Sequence, residues 1–234
     1  MSRQGVLDQG EHYLAFDTSG AVGSVAVSRG GEVLAYATLD EKFQHAARLV
    51  PTIDRVMRAA QLSRADLAGV VVGEGPGSFT GVRVAGATAK GLTHALGVPL
   101  WPVSSLGAAA LAIDVGPYRY ALFDARSDRV YGACYGVGKA GVQVLTEPHG
   151  GSLREVLDAD LPSGVTFVGE GAHVHRAAIE AAGFGVAADG AATPHAVGLI
   201  RYLASSTDFE PVERGGGWEP RYVREWEAKA TRAG

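Results

Sequence analysis

Four glycines and a proline fall within one run of eleven residues, Gly73-Glu74-Gly75-Pro76-Gly77-Ser78-Phe79-Thr80-Gly81-Val82-Arg83. This run constrains the fold more than any other. The apolar stretch Ala68-Gly69-Val70-Val71-Val72 before it reads as a buried strand, and the Ala/Gly-rich, proline-free stretch Val84 to Leu96 after it reads as a helix. The glycines therefore sit in a tight strand-to-helix connection, where the backbone needs positive φ or the close approach of another group. Ser78 or Thr80 can cap the helix by accepting from its free amides. Two readings stay open for the loop. It can present amides to an anion at the positive helix end, or it can simply let helix and sheet pack closely. It is neither a P-loop nor a dinucleotide fingerprint. No lysine occurs between Lys42 and Lys90, and Ser78 stands where the third glycine of G-x-G-x-x-G belongs.

The same supersecondary pattern is written twice. In the first copy, a short apolar run ends at Asp17-Thr18-Ser19-Gly20, and Val22–Val27 and Glu32–Thr38 follow as strands joined by Arg29-Gly30-Gly31. In the second, Tyr120-Ala121-Leu122-Phe123-Asp124-Ala125-Arg126-Ser127 parallels Leu14 to Ser19, and Val130–Tyr135 and Val142–Leu145 follow. Each copy runs strand, terminal Asp, turn, strand, turn, strand, helix, which predicts two copies of one α/β unit. Helices are expected over 44–60, 80–96, from Ser104-Ser105 to Ile113, 153–157, 172–182 and 194–206, with strands at 98–101 and 165–168. Residues 1–11 are expected to fray, and glycines 215–217 to form a mobile loop. The expected boundaries are a first half over 1–104, a smaller second half over 105–193 and an extension over 207–234, the helix near 194–206 packing back on the first half.

A chain of 234 residues with net charge −4 and pI near 6.0 has a sizeable core and no global basic field for nucleic acid. The lone Cys134 excludes an internal disulfide. A polar start without an h-region and the lack of a bilayer-length apolar run point to a cytoplasmic protein with no membrane contact.

Four places together resemble the TsaB (YeaZ) family: Leu14 to Ser19, Gly73 to Arg83, Phe123-Asp124-Ala125-Arg126 with Val130-Tyr131, and Pro220-Arg221-Tyr222-Val223-Arg224. The resemblance spans nearly the whole chain and implies an actin-like, Hsp70-like (ASKHA) fold of two RNase-H-like βββαβα halves. It also implies partnership with TsaD and TsaE in forming N6-threonylcarbamoyladenosine at position 37 of tRNA, and a homodimer when the chain is alone. The tRNA is then met through the complex. TsaD carries a His-x-x-x-His metal pair on the corresponding helix, where four-residue spacing puts two imidazoles on one face. Here the segment reads Gln44-His45-Ala46-Ala47-Arg48-Leu49, with Leu49 at the second histidine position, so no metal and no catalytic residue are expected.

Active proteins of this fold grip phosphates with glycine-rich turns in both halves. Asp17-Thr18-Ser19-Gly20 keeps that form, whereas Asp124-Ala125-Arg126-Ser127-Asp128 has no glycine, and Arg126 and Asp128 would fill the space with side chains. The expectation is no cofactor for the chain alone, with ATP left open for the complex. Asp17, Thr18, Ser19, Asp124 and the loop residues Gly75, Pro76, Gly77, Ser78, Phe79, Thr80, Gly81 and Arg83 are then a nucleotide or structural site. The alternative is an ATP-dependent phosphotransferase or hydrolase of the same fold. Proteolysis finds no chemistry, because Ser19 and Ser78 lack a patterned His and Asp.

The helix over 44–60 carries two apolar stripes, through Leu49, Ile53 and Val56 and through Val50, Ile53 and Met57. One stripe covers a sheet, so the second is expected to face a partner, together with the small residues Ala85 and Ala89, and Ala87, Gly91 and Ala95, of the next helix. His45, Arg48, Leu49, Ile53, Val56, Met57, Ala85 and Ala89 are the candidate interface, with Arg55 and Arg58 at its rim.

Overall fold

A computed structural model of the chain describes residues 5–39, 45–125, 129–188, 195–207, 209–213 and 217–221. The first half runs β1 (His12–Asp17), β2 (Gly23–Arg29), β3 (Glu32–Leu39), α1 (His45–Ala59), β4 (Leu67–Gly73), α2 (Phe79–Leu96) and β5 (Leu100–Val103). The chain continues through α3 (Ser105–Ala112), β6 (Tyr118–Asp124), β7 (Arg129–Gly138), β8 (Gly141–Ser152), α4 (Leu153–Leu157), β9 (Thr166–Val168), α5 (Glu170–Val174), α6 (Arg176–Ala181), β10 (Gly185–Val186) and α7 (His195–Ala204). The two sheets are ordered β3-β2-β1-β4-β5 and β8-β7-β6-β9-β10. In each, the meander strands pair antiparallel and the remaining strands pair parallel. The chain is thus a duplicated mixed α/β unit.

The centre of the first sheet is apolar on both faces, as parallel strands covered on both sides require. Leu14, Phe16, Val70 and Val72 face α1 and α2, while Ala15 and Val71 face α3 and α7. For six of the eight candidate interface residues the expectation is corrected here. Leu49, Ile53, Val56 and Met57, with Ala85 and Ala89 of α2, are all buried in the chain's own core. The helix lies in the angle between β2, β3 and α2, so both apolar stripes are consumed internally except at Val50. Its exposed apolar residue is Val50, and the exposed small residues of α2 are Ala87, Gly91 and Ala95. Arg48, Arg55 and Arg58 are exposed, Arg58 pairing with Asp54 one turn earlier. The backbone of His45 opens α1, and its side chain lies outside the described residues.

Three further expectations change. The N-terminal segment from residue 5 is packed, since Leu7 is buried beside Leu203 and the Val6 amide donates to the Leu203 and Ser206 carbonyls. Apolar burial outweighs the polar composition there. The stretch 172–182 is two short helices, α5 and α6, joined at His175. Of the 215–217 loop only Gly217 is described, and Tyr222-Val223-Arg224 lies outside the described residues.

Between the halves runs α3, Ser-Leu-Gly-Ala-Ala-Ala-Leu-Ala, with every residue buried. Ser104 caps its start by accepting from the Gly107 amide at 3.3 Å. Its far end would leave carbonyls unsatisfied in the interior. Two arginines meet them. Arg119 donates to the carbonyls of Ala110 (2.9 Å) and Ile113 (2.8 Å), and Arg201 to that of Ala112 (2.9 Å). Helix α7 crosses α3 with Gly198 against the Ala108 carbonyl, where no Cβ fits.

Candidate functional site

The glycine loop is held by the turn after β1. The Ser78 amide donates to the Ser19 carbonyl at 2.8 Å, and the Thr18 hydroxyl donates to the Gly81 carbonyl at 2.6 Å. A Cβ on Gly77 or Gly81 would collide with this turn, so those glycines serve close approach. Gly75 has φ +97°, a conformation that favours glycine. It is pinned on both sides by Ser105, whose hydroxyl accepts from the Gly75 amide and whose amide donates to the Gly75 carbonyl. Ser78, not Thr80, is the N-cap of α2. Phe79 and Arg83 are exposed and stack, the guanidinium 3.8 Å from the ring centre. Pro76 is buried.

A strap crosses this loop. The backbones of Val212 and Leu100 exchange hydrogen bonds at 2.7 and 2.9 Å, extending the first sheet beyond β5. The Arg221 amide then donates to the Glu74 carbonyl at 2.9 Å. Trp218 and Pro220 lie against Gly86 of α2. Burial raises the Glu74 carboxyl, partly offset by the Arg221 charge and a bond from Trp218.

Between the halves, Asp17 at the end of β1 is almost wholly buried. Its Oδ1 accepts from the Ser19 amide at 2.7 Å, and its Oδ2 lies 3.3 Å from His195 Nδ1. An ionised carboxylate only accepts, so Nδ1 carries the proton. Burial pushes the Asp17 carboxyl up, but the bonds and charge of His195 and the Ser19 amide outweigh it and hold the group below the usual range. A Cβ on Gly73 would sit 2.6 Å from both Asp17 oxygens, so glycine is required there. The His195 ring stacks on Phe123, 5.2 Å between centres. Glu170, at the start of α5, accepts from the Ala21 amide at 2.6 Å. Asp124 at the end of β6 is half-buried, with its Oδ1 3.8 Å from His175 Nε2. Arg126, Ser127 and Asp128 lie outside the described residues.

The structure thus brings Asp17, Thr18, Ser19 and the glycine loop together and sets Asp124 across from them. His195 and Glu170 were missed by sequence reasoning. One signal could have found Glu170: Val72-Gly73-Glu74-Gly75 and Val168-Gly169-Glu170-Gly171 are the same tetrad at the ends of equivalent strands, β4 and β9. Among the described residues no group of three or more His, Cys, Asp or Glu could hold a metal, and no helix is long and apolar enough to cross a membrane. A separate groove between β3 and α7, lined by Val33, Leu34, Tyr36, Val197 and Arg201, gathers no catalytic group.

Two sheets of identical strand order, with an aspartate at the end of each first strand, define an actin-like fold. Component A of the (R)-2-hydroxyglutaryl-CoA dehydratase of Acidaminococcus fermentans shares that fold. Its TM-score is 0.51 at 11% identity, over 82% of this chain and 97% of that one. The family model described as TsaD, tRNA N6-adenosine threonylcarbamoyltransferase, matches residues 35–207. The tRNA threonylcarbamoyladenosine biosynthesis protein TsaB of Bacillus subtilis is 30% identical over 227 residues, 93% of this chain and 96% of that protein. YeaZ from Pseudomonas aeruginosa superposes with TM-score 0.74 at 27% identity, over 91% of this chain and all of that one. The chain belongs to the TsaB (YeaZ) family.

Proposed function

We propose that this chain is a non-catalytic subunit that works with TsaD and TsaE to form N6-threonylcarbamoyladenosine at position 37 of tRNA in the cytoplasm. The relationship to TsaB supports the pathway. The observation that carries the non-catalytic role is Leu49. It stands where TsaD has its second metal histidine and is fully buried against the first sheet, so this helix face packs instead of presenting ligands. TsaD docks on the outward face of α1 and α2, through Val50, Ala87, Gly91 and Ala95. Small residues there let a partner helix approach closely, and Val50 is 57% exposed. A second copy of the chain covers this face when TsaD is absent.

ATP belongs to the assembled complex. The Ser78 amide and the Gly81 carbonyl of the glycine loop are already paired with the β1–β2 turn, and that pairing supports a structural role for the loop.

Reconstitution tests the proposal. The chain alone is expected to yield no modified tRNA, and to restore modification when added to TsaD, TsaE, ATP and the enzyme that makes threonylcarbamoyl-adenylate. Val50→Asp and Gly91→Arg should keep the fold but abolish both co-elution with TsaD and self-association by light scattering. Modification by the chain alone overturns the non-catalytic role. Retained binding by both folded variants moves the interface elsewhere. Micromolar ATP binding to the isolated chain by calorimetry overturns the assignment of nucleotide to the complex.

A further inference from the structure

We infer that Glu170 and His195 form a latch that holds the two halves of the free chain together at the β1–β2 turn. Both cross from outside the β1–β2 turn and fasten it. The Glu170 carboxylate, from the end of β9 in the second half, takes the Ala21 amide at 2.6 Å. His195 is clamped between Asp17 of β1 at 3.3 Å and the Phe123 face at the end of β6. The turn is shaped for this approach. A Cβ on Gly20 would lie 3.1 Å from His195 Cε1 and 3.6 Å from Glu170 Oε2, and the Ser24 hydroxyl accepts the Ala196 amide at 2.9 Å, seating the first turn of α7. The repeat shows the arrangement is not forced by the fold. Glu74, in the same tetrad of the first half, is engaged by Arg221 and Trp218 of the strap instead. Of the two glutamates, only Glu170 is spent on holding the halves together.

Among the described residues, the ionisable groups around Glu170 are Asp17, Asp124, its latch partner His195 and, behind Asp124, His175. Burial, and to a smaller degree the Asp124 and Asp17 carboxylates, disfavour a charged Glu170, and the Ala21 amide and His195 offset this in part. A charge-assisted bond of this kind is worth roughly ten- to a hundredfold in the closing equilibrium. Because Ala21 is exposed, the lower end applies, about tenfold. Any ligand or partner that needs the halves apart must displace Glu170 first. The latch concerns the free chain and stands whichever partner binds α1 and α2.

The test uses the full chain with spin labels on Thr80→Cys and Ala177→Cys, both exposed sites, one in each half. The native Cys134 is buried. Glu170→Ala should lengthen or split the inter-label distance distribution and speed exchange of the Ala21 amide about tenfold. Glu170→Gln keeps an acceptor without charge and should leave the distance closed while speeding that exchange by a smaller factor. An unchanged distance and an unchanged Ala21 exchange rate in folded Glu170→Ala overturn the latch. If the alanine variant fails to fold, Glu170→Gln decides: Ala21 exchange equal to wild type overturns it, and faster exchange supports it.

Discussion

Gly81→Ala isolates the contact that fixes the glycine loop to the β1–β2 turn. In the native chain the Thr18 carbonyl lies against Gly81 so closely that a Cβ cannot fit, the Thr18 hydroxyl donates to the Gly81 carbonyl at 2.6 Å, and Ser78 Cβ stands 3.4 Å from the position of the new methyl. Two of these neighbours are backbone or capping groups that cannot rotate away. Overpacking of this sort costs about 1–3 kcal/mol, and a strained Thr18 bond adds about 0.5–1.5 kcal/mol. Alanine returns about 0.5–1 kcal/mol through its helix preference. The expected net loss is centred on about 2 kcal/mol within a range of about 0.5–4, a Tm fall of roughly 4–8 °C at the centre for a chain of this size. Gly91→Ala is the control. It lies in the same helix with nothing within 4 Å of its Cβ position, so the helix preference acts alone and stability should rise by about 0.5–1 kcal/mol. Urea denaturation followed by circular dichroism, at protein concentrations low enough to exclude self-association, measures both. If the two variants shift in the same direction, or Gly81→Ala stays within about 0.5 kcal/mol of wild type, the loop is not clamped as described.

Three further outcomes follow from buried polar groups. Arg119→Met should destabilise by about 2–4 kcal/mol, because it strands the α3 carbonyls. Arg119→Lys should fail to rescue, since one ammonium cannot reproduce the fork; full rescue in a thermal melt would show that charge alone matters. Asp17 is held below its unfolded value, so its stabilisation is complete above about pH 4 and disappears as pH falls through the folded value. Asp17→Asn should therefore be weaker than wild type by about 2–4 kcal/mol at neutral pH, with the gap narrowing below about pH 4 in parallel urea titrations; a constant gap contradicts the assignment. Burial pushes the Cys134 thiol up to about 11, so a thiol reagent at pH 8 should not label the native chain but should label the unfolded one. The same shift makes stability decline from about pH 9, because the unfolded thiol ionises first. Labelling of the native protein within minutes would contradict the burial.

The duplication was legible because it is local. Each meander is a short run of alternating strands and turns with an aspartate in the same place, and those signals survive without tertiary context. The glycine loop was legible as a strand-to-helix connection but not as a clamp, because its partner, the Thr18-Ser19 turn, lies about sixty residues earlier. The apolar surplus of α1 misled for a geometric reason. A helix wedged between a sheet and a second helix needs a wide buried face, and the sequence shows the width without showing what fills it. His195 could not be read at all, since a lone histidine acquires meaning only from Asp17 and Phe123, far away in the chain. Glu170 is legible only through its tetrad, which lies at the ends of the fourth strands, outside the meanders that carry the plainer repeat.

Helix α3 has a mechanical consequence. Gly107, Ala108, Ala109, Ala110 and Ala112 give most of its surface only methyl groups and bare backbone, while Leu106 and Leu111 reach into the core of the second half. Alanine and glycine offer no long side chains to interlock, and at Gly198 the crossing helix meets it backbone to backbone. The hold of α3 on the two halves is unequal, because Leu106 and Leu111 key it into the core of the second half, whereas only Ala108 joins the core it shares with the first sheet and α7. Any change in the angle between the halves would therefore meet the least side-chain interlock on the Ala108 side of this helix.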